Sequence, residues 1–138
     1  MTIFILALPL GGRTEDQTNR LRSFISHYCE TYESKDLKKF ATFFSSDATE
    51  NGVPFNRLLS NYTRNMEMIE NFYYWIELLA YSSQPDTGNV KIKGKYFTKF
   101  RFHEGTWKEN SGNISMELKN IGNSYQVEKL NYTSPSGE

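Results

Sequence analysis

Hydrophobic positions in the first half of the chain recur at the spacing of an α-helix. This spacing predicts a first helix over residues 15–33 and a short second helix from residue 37, with Phe44 on its apolar face. It also predicts a third helix that runs from Pro54 to about residue 69. Residues 48–52, between the second and third helices, can form only a short strand.

In the second half of the chain, hydrophobic residues recur at every second position instead of at helical spacing. Four strands are predicted, separated by turns rich in Gly, Pro, Asn and Asp. They cover residues 72–84, 89–102, 106–118 and 124–133. A bulge is predicted at Gly112, and another between Val127 and Leu130, where the apolar phase shifts by one residue. Three N-terminal helices followed by an antiparallel sheet indicate an α+β fold.

The strand over residues 72–84 is apolar on both faces. One face is predicted to pack on the helices, and the other would leave a large aromatic patch in water, which is unusual for a monomer. The pattern therefore predicts a homodimer through this second face. Its residues are Tyr73, Trp75, Leu79 and Tyr81.

The length of 138 residues predicts one domain over residues 15–133, between an apolar segment at 1–14 and a polar tail at 134–138. No run of about 18 apolar residues occurs, so no membrane span is predicted. The compartment stays open. One alternative is the cytoplasm. The other is the periplasm or the extracellular space, if the apolar segment is the remnant of a signal or anchor.

Basic residues follow one face of the strand at 89–102. With Phe97 among them they could form a platform for single-stranded nucleic acid, or a solvated sheet face that discourages aggregation. The formal net charge of zero favours the solvated face, and no nucleic-acid partner is predicted. Glu77, Glu109 and Glu117 are expected to lie across from these basic residues. The basic residues are Lys91, Lys93, Lys95, Lys99 and Arg101.

The stretch YCETYESKDLKKFATFFSSDATENG (28–52), together with YQVEKLNY (125–132), resembles the nuclear transport factor 2-like superfamily, including its SnoaL-like and ketosteroid-isomerase-like branches. The resemblance covers roughly residues 18–133. It implies a strongly bent, cystatin-like sheet wrapped around the helices as a cone, with a pocket at the open end. Some such domains are isomerases, dehydratases or cyclases that need no cofactor. Many others are binding or assembly modules that often pair as dimers.

The resemblance places a hydrogen-bond-donating tyrosine at Tyr28 and the catalytic base at Gly52, which has no side chain. Glu50 is the candidate substitute, but it lies two residues earlier, a shift of about 7 Å along a strand. We expect Glu50 to be solvated near the mouth of the domain. The pocket is expected to be lined, and partly filled, by aromatic and methionine side chains. These are Tyr28, Tyr32, Phe44, Tyr62, Met66 and Met116.

Histidine chemistry and a metal site are not predicted, because His27, His103 and Cys29 form no ligand spacing. The favoured hypothesis is a non-catalytic domain that binds a small apolar ligand or a protein partner. The alternative is a cofactor-independent isomerase, dehydratase or cyclase that uses Tyr28 with a pocket carboxylate.

Overall fold

The computed structural model describes residues 5–6 and 12–133. The helices are α1 (Gly12–Glu33), α2 (Leu37–Ala41) and α3 (Leu59–Met68), and a 3-10 turn at Phe55–Leu58 leads into α3. The strands are β1 (Ile5–Leu6), β2 (Phe44–Glu50), β3 (Val53–Pro54), β4 (Ile69–Ser83), β5 (Val90–Phe102), β6 (Trp107–Asn120) and β7 (Tyr125–Thr133). The predictions for the polar tail and for most of the segment 1–14 lie outside the described residues.

The second helix is shorter than the sequence pattern predicts. It ends at Ala41, and Phe44 is the first residue of β2 instead of the last apolar position of the helix. The backbone N–H of Val127 donates a 2.7 Å hydrogen bond to the carbonyl of Phe43. Pairing with a distant strand therefore overrides the local helical spacing, which is a weak signal over so few residues.

The sheet is mixed, so the prediction of a wholly antiparallel sheet is wrong. Its strand order is β1-β4-β5-β6-β7-β2-β3. Strands β4 to β7 form an antiparallel meander, whereas β2 pairs with β7 in parallel. A parallel neighbour requires a long crossover. The chain from β3 to β6 provides that crossover, and periodicity along the sequence cannot reveal it.

The sheet has several register shifts, and two of them bear on the predicted directions of side chains. Between β6 and β7, Glu117 pairs with Lys129 but Leu118 pairs with Val127, which leaves Glu128 as an extra residue. The bulge predicted between Val127 and Leu130 is thus confirmed. The bulge predicted at Gly112 is wrong, because the β5–β6 register is unbroken there. Gly112 instead permits a close approach, since a Cβ on it would lie 1.7 Å from the carbonyl oxygen of Thr133.

The other bulge, between Leu78 and Ala80, corrects the predicted outer face of β4. Beyond it the alternation reverses, so Tyr81 points inward and is 0% exposed. The Tyr81 hydroxyl lies 2.9 Å from the hydroxyl of Thr18 on α1. Tyr73 and Trp75 precede the bulge, Leu79 is its extra residue, and all three side chains remain exposed.

An aromatic core lies between the helices and the inward-facing positions of the sheet. Phe44 stacks on Phe55 with ring centroids 3.8 Å apart, and Tyr28 packs on Phe40 at 5.0 Å. Val90, Ile92 and other alternate residues of the meander complete the core. This packing places one face of α1 and α2 against the sheet.

The basic face of β5 is solvated and lies among acidic residues. The predicted cross-strand neighbours are confirmed, because Glu77 pairs with Lys95, Glu109 with Lys99, and Glu117 with Lys91. Within residues 5–6 and 12–133, none of the helices has the length and apolar content needed to cross a bilayer.

Candidate ligand-binding site

A tight turn sets the position of Glu50, the buried acidic residue among those whose side chains the structure describes. Asn51 and Gly52 both have positive φ, 49° and 82°, which is the combination that a two-residue type I′ hairpin requires. They join β2 to β3, with Glu50 paired to Val53. The Asn51 side chain also accepts a hydrogen bond from the backbone N–H of Tyr132 at 2.9 Å. The turn therefore fixes the end of β2 against β7.

Glu50 faces inward and is 8% exposed, so the expectation of a solvated carboxylate is wrong. It shares the inner side of β2 with Ala48, two residues earlier. The hydroxyl of Tyr62, on α3, donates a hydrogen bond to Oε1. The hydroxyl of Tyr132, on β7, donates a 3.0 Å hydrogen bond to Oε2. Each carboxylate oxygen thus has a fixed donor and keeps capacity for a further hydrogen bond.

Glu50 forms part of the wall of a cavity of about 470 Å³. This volume lies within the range of small-molecule sites, roughly 300–1,000 Å³. The wall is mostly aromatic, with a few amide and hydroxyl groups. Its residues are Tyr28, Tyr32, Phe40, Glu50, Leu58, Asn61, Tyr62, Asn65, Ile69, Phe72, Tyr74, Tyr96, Thr98, Phe100, Phe102, Asn110, Leu130 and Tyr132.

The structure brings only part of the predicted pocket set to this cavity. Tyr28, Tyr32 and Tyr62 line it, and so does Glu50. Phe44, Met66 and Met116 do not. Phe44 is buried in its stack with Phe55, Met66 is buried on α3, and Met116 is fully buried in the core. These three side chains therefore leave the cavity unfilled.

The tyrosines of the wall are held in their protonated form. Burial, and then the charge of Glu50, raises the pKa of Tyr32 to about 12. Burial and the neighbouring Glu50 raise the pKa of Tyr62 and of Tyr132 above the usual range as well. Burial likewise raises the pKa of Tyr28 and Tyr74, although a hydrogen bond from Tyr28 opposes this effect at Tyr74. These hydroxyls are hydrogen-bond donors at neutral pH and not bases.

His27 and His103, for which no catalytic role is predicted, do not line the cavity. His27 is exposed on α1, and His103 is exposed with its Nε2 3.2 Å from the carbonyl oxygen of Glu67. In the part of the chain that the structure describes, three or more His, Cys, Asp or Glu side chains do not come together as a metal site would require. The cavity can therefore offer one carboxylate, several hydroxyl donors and many ring faces.

Several wall residues could have been identified from the sequence. Alternate residues of β5 point to opposite faces of the sheet. The inward direction of Tyr96, Thr98 and Phe100 therefore follows from the exposure of the basic residues between them. Asn51-Gly52 is a strong hairpin signal that places Glu50 at a strand end. No local signal points to Tyr132, because the Glu128 bulge and the parallel β2–β7 pairing determine its contact with Glu50.

Comparisons with solved structures show the same fold at very low sequence identity. Aln2 from a Streptomyces species superimposes with a TM-score of 0.74 at 9% identity, over 88% of this chain and 92% of Aln2. A candidate scytalone dehydratase from Novosphingobium aromaticivorans gives 0.72 at 8% identity, over 87% and 85% of the two chains. A candidate calcium/calmodulin-dependent protein kinase II association domain from Xanthomonas campestris gives 0.72 at 8% identity, over 92% and 91%.

No protein-family profile matches the sequence, and no curated protein matches it. The structural neighbours include one protein described as a candidate enzyme and one described as a candidate association domain, so they establish the architecture and not a reaction. The chain has the α+β fold of the nuclear transport factor 2-like superfamily.

Proposed function

We propose that this protein binds a small molecule in the aromatic cavity and that Glu50 is the polar anchor of the bound molecule. The observation that supports the proposal is the buried carboxylate of Glu50, held on both oxygens by tyrosine hydroxyls inside a cavity of about 470 Å³. Apolar walls with a few convergent polar groups are typical of ligand sites.

The arrangement around Glu50 favours a preformed site over a packing defect. Burying a carboxylate carries a desolvation cost, which the two tyrosine hydrogen bonds offset only in part. Tyr62 and Tyr132 lie on different elements, α3 and β7, and both converge on this one side chain. A ligand that donates a hydrogen bond to Glu50 would find its acceptor already oriented.

Binding without chemistry is the simpler role for this set of groups. Gly52 has no side chain and lies in the turn after β2. The described cavity wall has Glu50 as its sole carboxylate and contains no His, Lys or Cys. The raised pKa of Tyr32 and Tyr62 keeps both hydroxyls protonated at neutral pH, so neither can act as a base. Glu50 is therefore the one proton acceptor that the side chains of the described wall offer, and both of its oxygens already accept tyrosine hydrogen bonds.

A cofactor-independent isomerase, dehydratase or cyclase is the second candidate. The observation that favours it is the placement of Tyr28 and Glu50 on the wall of one cavity. In this role Glu50 would accept a proton from the substrate, and the Tyr28 hydroxyl would donate a hydrogen bond to the oxygen on which charge develops. The two candidates differ in whether a bound molecule is recovered unchanged.

The outer sheet face supports a proposal of homodimerisation that is separate from the cavity. Tyr73 stacks on Trp75 and on Trp107, with ring centroids 6.1 and 6.0 Å apart. Trp75 is 53% exposed and lies directly across from the exposed Phe97. Rings in such a patch would be removed from water by a second copy of the chain, and a different protein partner is the alternative occupant.

Prodan, an uncharged naphthalene fluorophore that brightens in apolar surroundings, can test the small-molecule function. Thr98→Trp should fill the cavity and weaken Prodan binding at least about tenfold, which corresponds to roughly 1.4 kcal/mol. Lys99→Trp is the matched control, because it adds the same ring on the opposite face of β5. Equal Prodan binding by both variants would contradict the proposal. Conversion of a cavity ligand by the wild-type protein, lost in Glu50→Gln, would favour the enzyme.

A further inference from the structure

The charge inside the cavity is unbalanced. Glu50 contributes a carboxylate, and the wall formed by the described residues contains no Lys, Arg or His. The partners of Glu50 in the cavity are the hydroxyls of Tyr62 and Tyr132, which carry dipoles but no net charge. Ion pairs in the described part of the chain, such as Arg101–Glu70 and Lys129–Glu117, involve other carboxylates.

A carboxylate buried in this way is most strongly stabilised by a positive charge. Removing a carboxylate from water is costly, and neutral hydrogen-bond donors recover only part of the lost hydration. An anionic guest would add a like charge close to Glu50 and would meet no cation on the wall. A neutral guest could accept the remaining hydrogen-bonding capacity of the carboxylate but would leave its charge unbalanced.

The remainder of the wall is suited to an organic cation. Ring faces carry negative potential and attract a cation within about 6 Å of the ring centre. Tyr32 contacts Phe72, Tyr74 and Tyr62, with ring centroids 4.7, 5.6 and 5.9 Å apart, so several rings surround one part of the cavity. The further tyrosines of the wall are Tyr28, Tyr96 and Tyr132.

A bare metal ion fits this wall poorly. Hard cations need several oxygen ligands around one point. Within the described residues no cluster of three His, Cys, Asp or Glu side chains provides such a shell. A carboxylate with many ring faces instead matches an alkylammonium head, whose charge is spread over carbon-bound hydrogens.

We propose that the cavity selects an organic ammonium compound, with the cationic head between Glu50 and the surrounding tyrosine rings. This inference rests on the proposed small-molecule function, because it assigns the ligand class of the same site. The roughly 470 Å³ volume leaves room for an aromatic or alkyl substituent beside the head. Phe72 and Phe100, stacked at 5.8 Å, provide an apolar wall for that substituent.

Two probes of nearly identical shape distinguish the effect of the ligand's charge on affinity from the effect of its shape. Phenyltrimethylammonium carries a quaternary nitrogen where tert-butylbenzene carries a carbon, so the pair differs mainly in charge. Their dissociation constants for the full chain can be measured by ligand-observed NMR. We expect phenyltrimethylammonium to bind at least about tenfold more tightly. This comparison is made on the wild-type protein and does not depend on a variant that folds.

Glu50→Gln then tests whether the charge of Glu50 causes the tighter binding of phenyltrimethylammonium. The amide keeps the size of the side chain and removes its charge, so the preference should fall to within about threefold. Thr98→Trp should weaken both probes, and Lys99→Trp should weaken neither. A preference that survives in a folded Glu50→Gln protein would overturn the role assigned to the carboxylate.

The failures of the two proposals can be told apart. If tert-butylbenzene binds as tightly as phenyltrimethylammonium and Thr98→Trp weakens both, the ammonium inference is wrong and the small-molecule function stands. If neither probe binds, or if Thr98→Trp leaves both affinities unchanged, both proposals are contradicted.

Discussion

The hydroxyl of Tyr132 donates a 3.0 Å hydrogen bond to Oε2 of Glu50 across 82 positions of sequence. This contact joins the last strand of the meander to the end of β2, which is its parallel neighbour. Tyr62 holds the other carboxylate oxygen from α3. Three separate parts of the chain thus determine the orientation of one charged group.

Removing either tyrosine hydroxyl should destabilise the protein, but to different extents. Tyr62→Phe leaves Oε1 of Glu50 without that donor and should lower the free energy of unfolding by about 2 kcal/mol. Tyr132 is 40% exposed, so water can replace its hydroxyl, and Tyr132→Phe should cost less than about 1 kcal/mol. Urea denaturation monitored by circular dichroism measures both values. Equal costs would show that the two hydrogen bonds are equally accessible to water.

Gly112→Ala should be strongly destabilising. The added Cβ would lie 1.7 Å from the carbonyl oxygen of Thr133 and 2.9 Å from Cε1 of Tyr96, a wall residue. We expect a loss of at least about 2 kcal/mol in the free energy of unfolding, because a backbone atom must move. Ser111→Ala is the control on the preceding residue and should stay within about 0.5 kcal/mol of wild type. A Gly112→Ala protein as stable as this control would show that the β6–β7 contact is looser than described.

Stability should fall in alkaline solution because of the buried tyrosines. Burial and Glu50 raise the pKa of Tyr32 to about 12 in the folded protein, against about 10 in an unfolded chain. Above pH 10 the unfolded chain releases the Tyr32 proton while the folded protein retains it. The contribution is therefore complete below pH 10 and decreases as pH rises towards 12. Urea denaturation between pH 9 and 11.5 should give a steeper decline for wild type than for Tyr32→Phe, and parallel declines would contradict this.

The outer sheet face should control self-association. Trp75→Ser removes the most exposed ring of the patch and should weaken a dimer at least about tenfold. Ile121→Ser is the matched control, since Ile121 is a similarly exposed apolar residue in the β6–β7 turn. Sedimentation velocity over a range of protein concentrations compares the two variants with wild type. A wild-type protein that sediments as a monomer at high micromolar concentration would contradict the dimer.

The sequence predicted the meander well because alternation is a local signal. The strands, their turns and the phase change in β7 all follow from neighbouring residues, and the pairing of Glu77 with Lys95 follows from register. Gly112 shows the limit of such reasoning. A glycine within a strand signals either a bulge or a close approach, and only the position of Thr133 decides between them.

The candidate site was harder to predict because distant contacts form it. The pattern around residue 50 indicates a strand end, but the parallel β2–β7 pairing determines that Glu50 points inward. The same holds for Tyr81, which the bulge at Leu78 and Ala80 turns into the core. A shift of one residue reverses the direction of every later side chain in a strand.

The most direct test of ligand binding in the cavity is to map where phenyltrimethylammonium binds, using amide chemical shifts of the full chain. We expect the largest changes at cavity residues such as Glu50, Tyr62 and Thr98, and we expect Glu50→Gln to reduce them. Changes centred instead on the outer face around Trp75 and Phe97, or no changes up to millimolar concentrations of the probe, would contradict binding in the cavity.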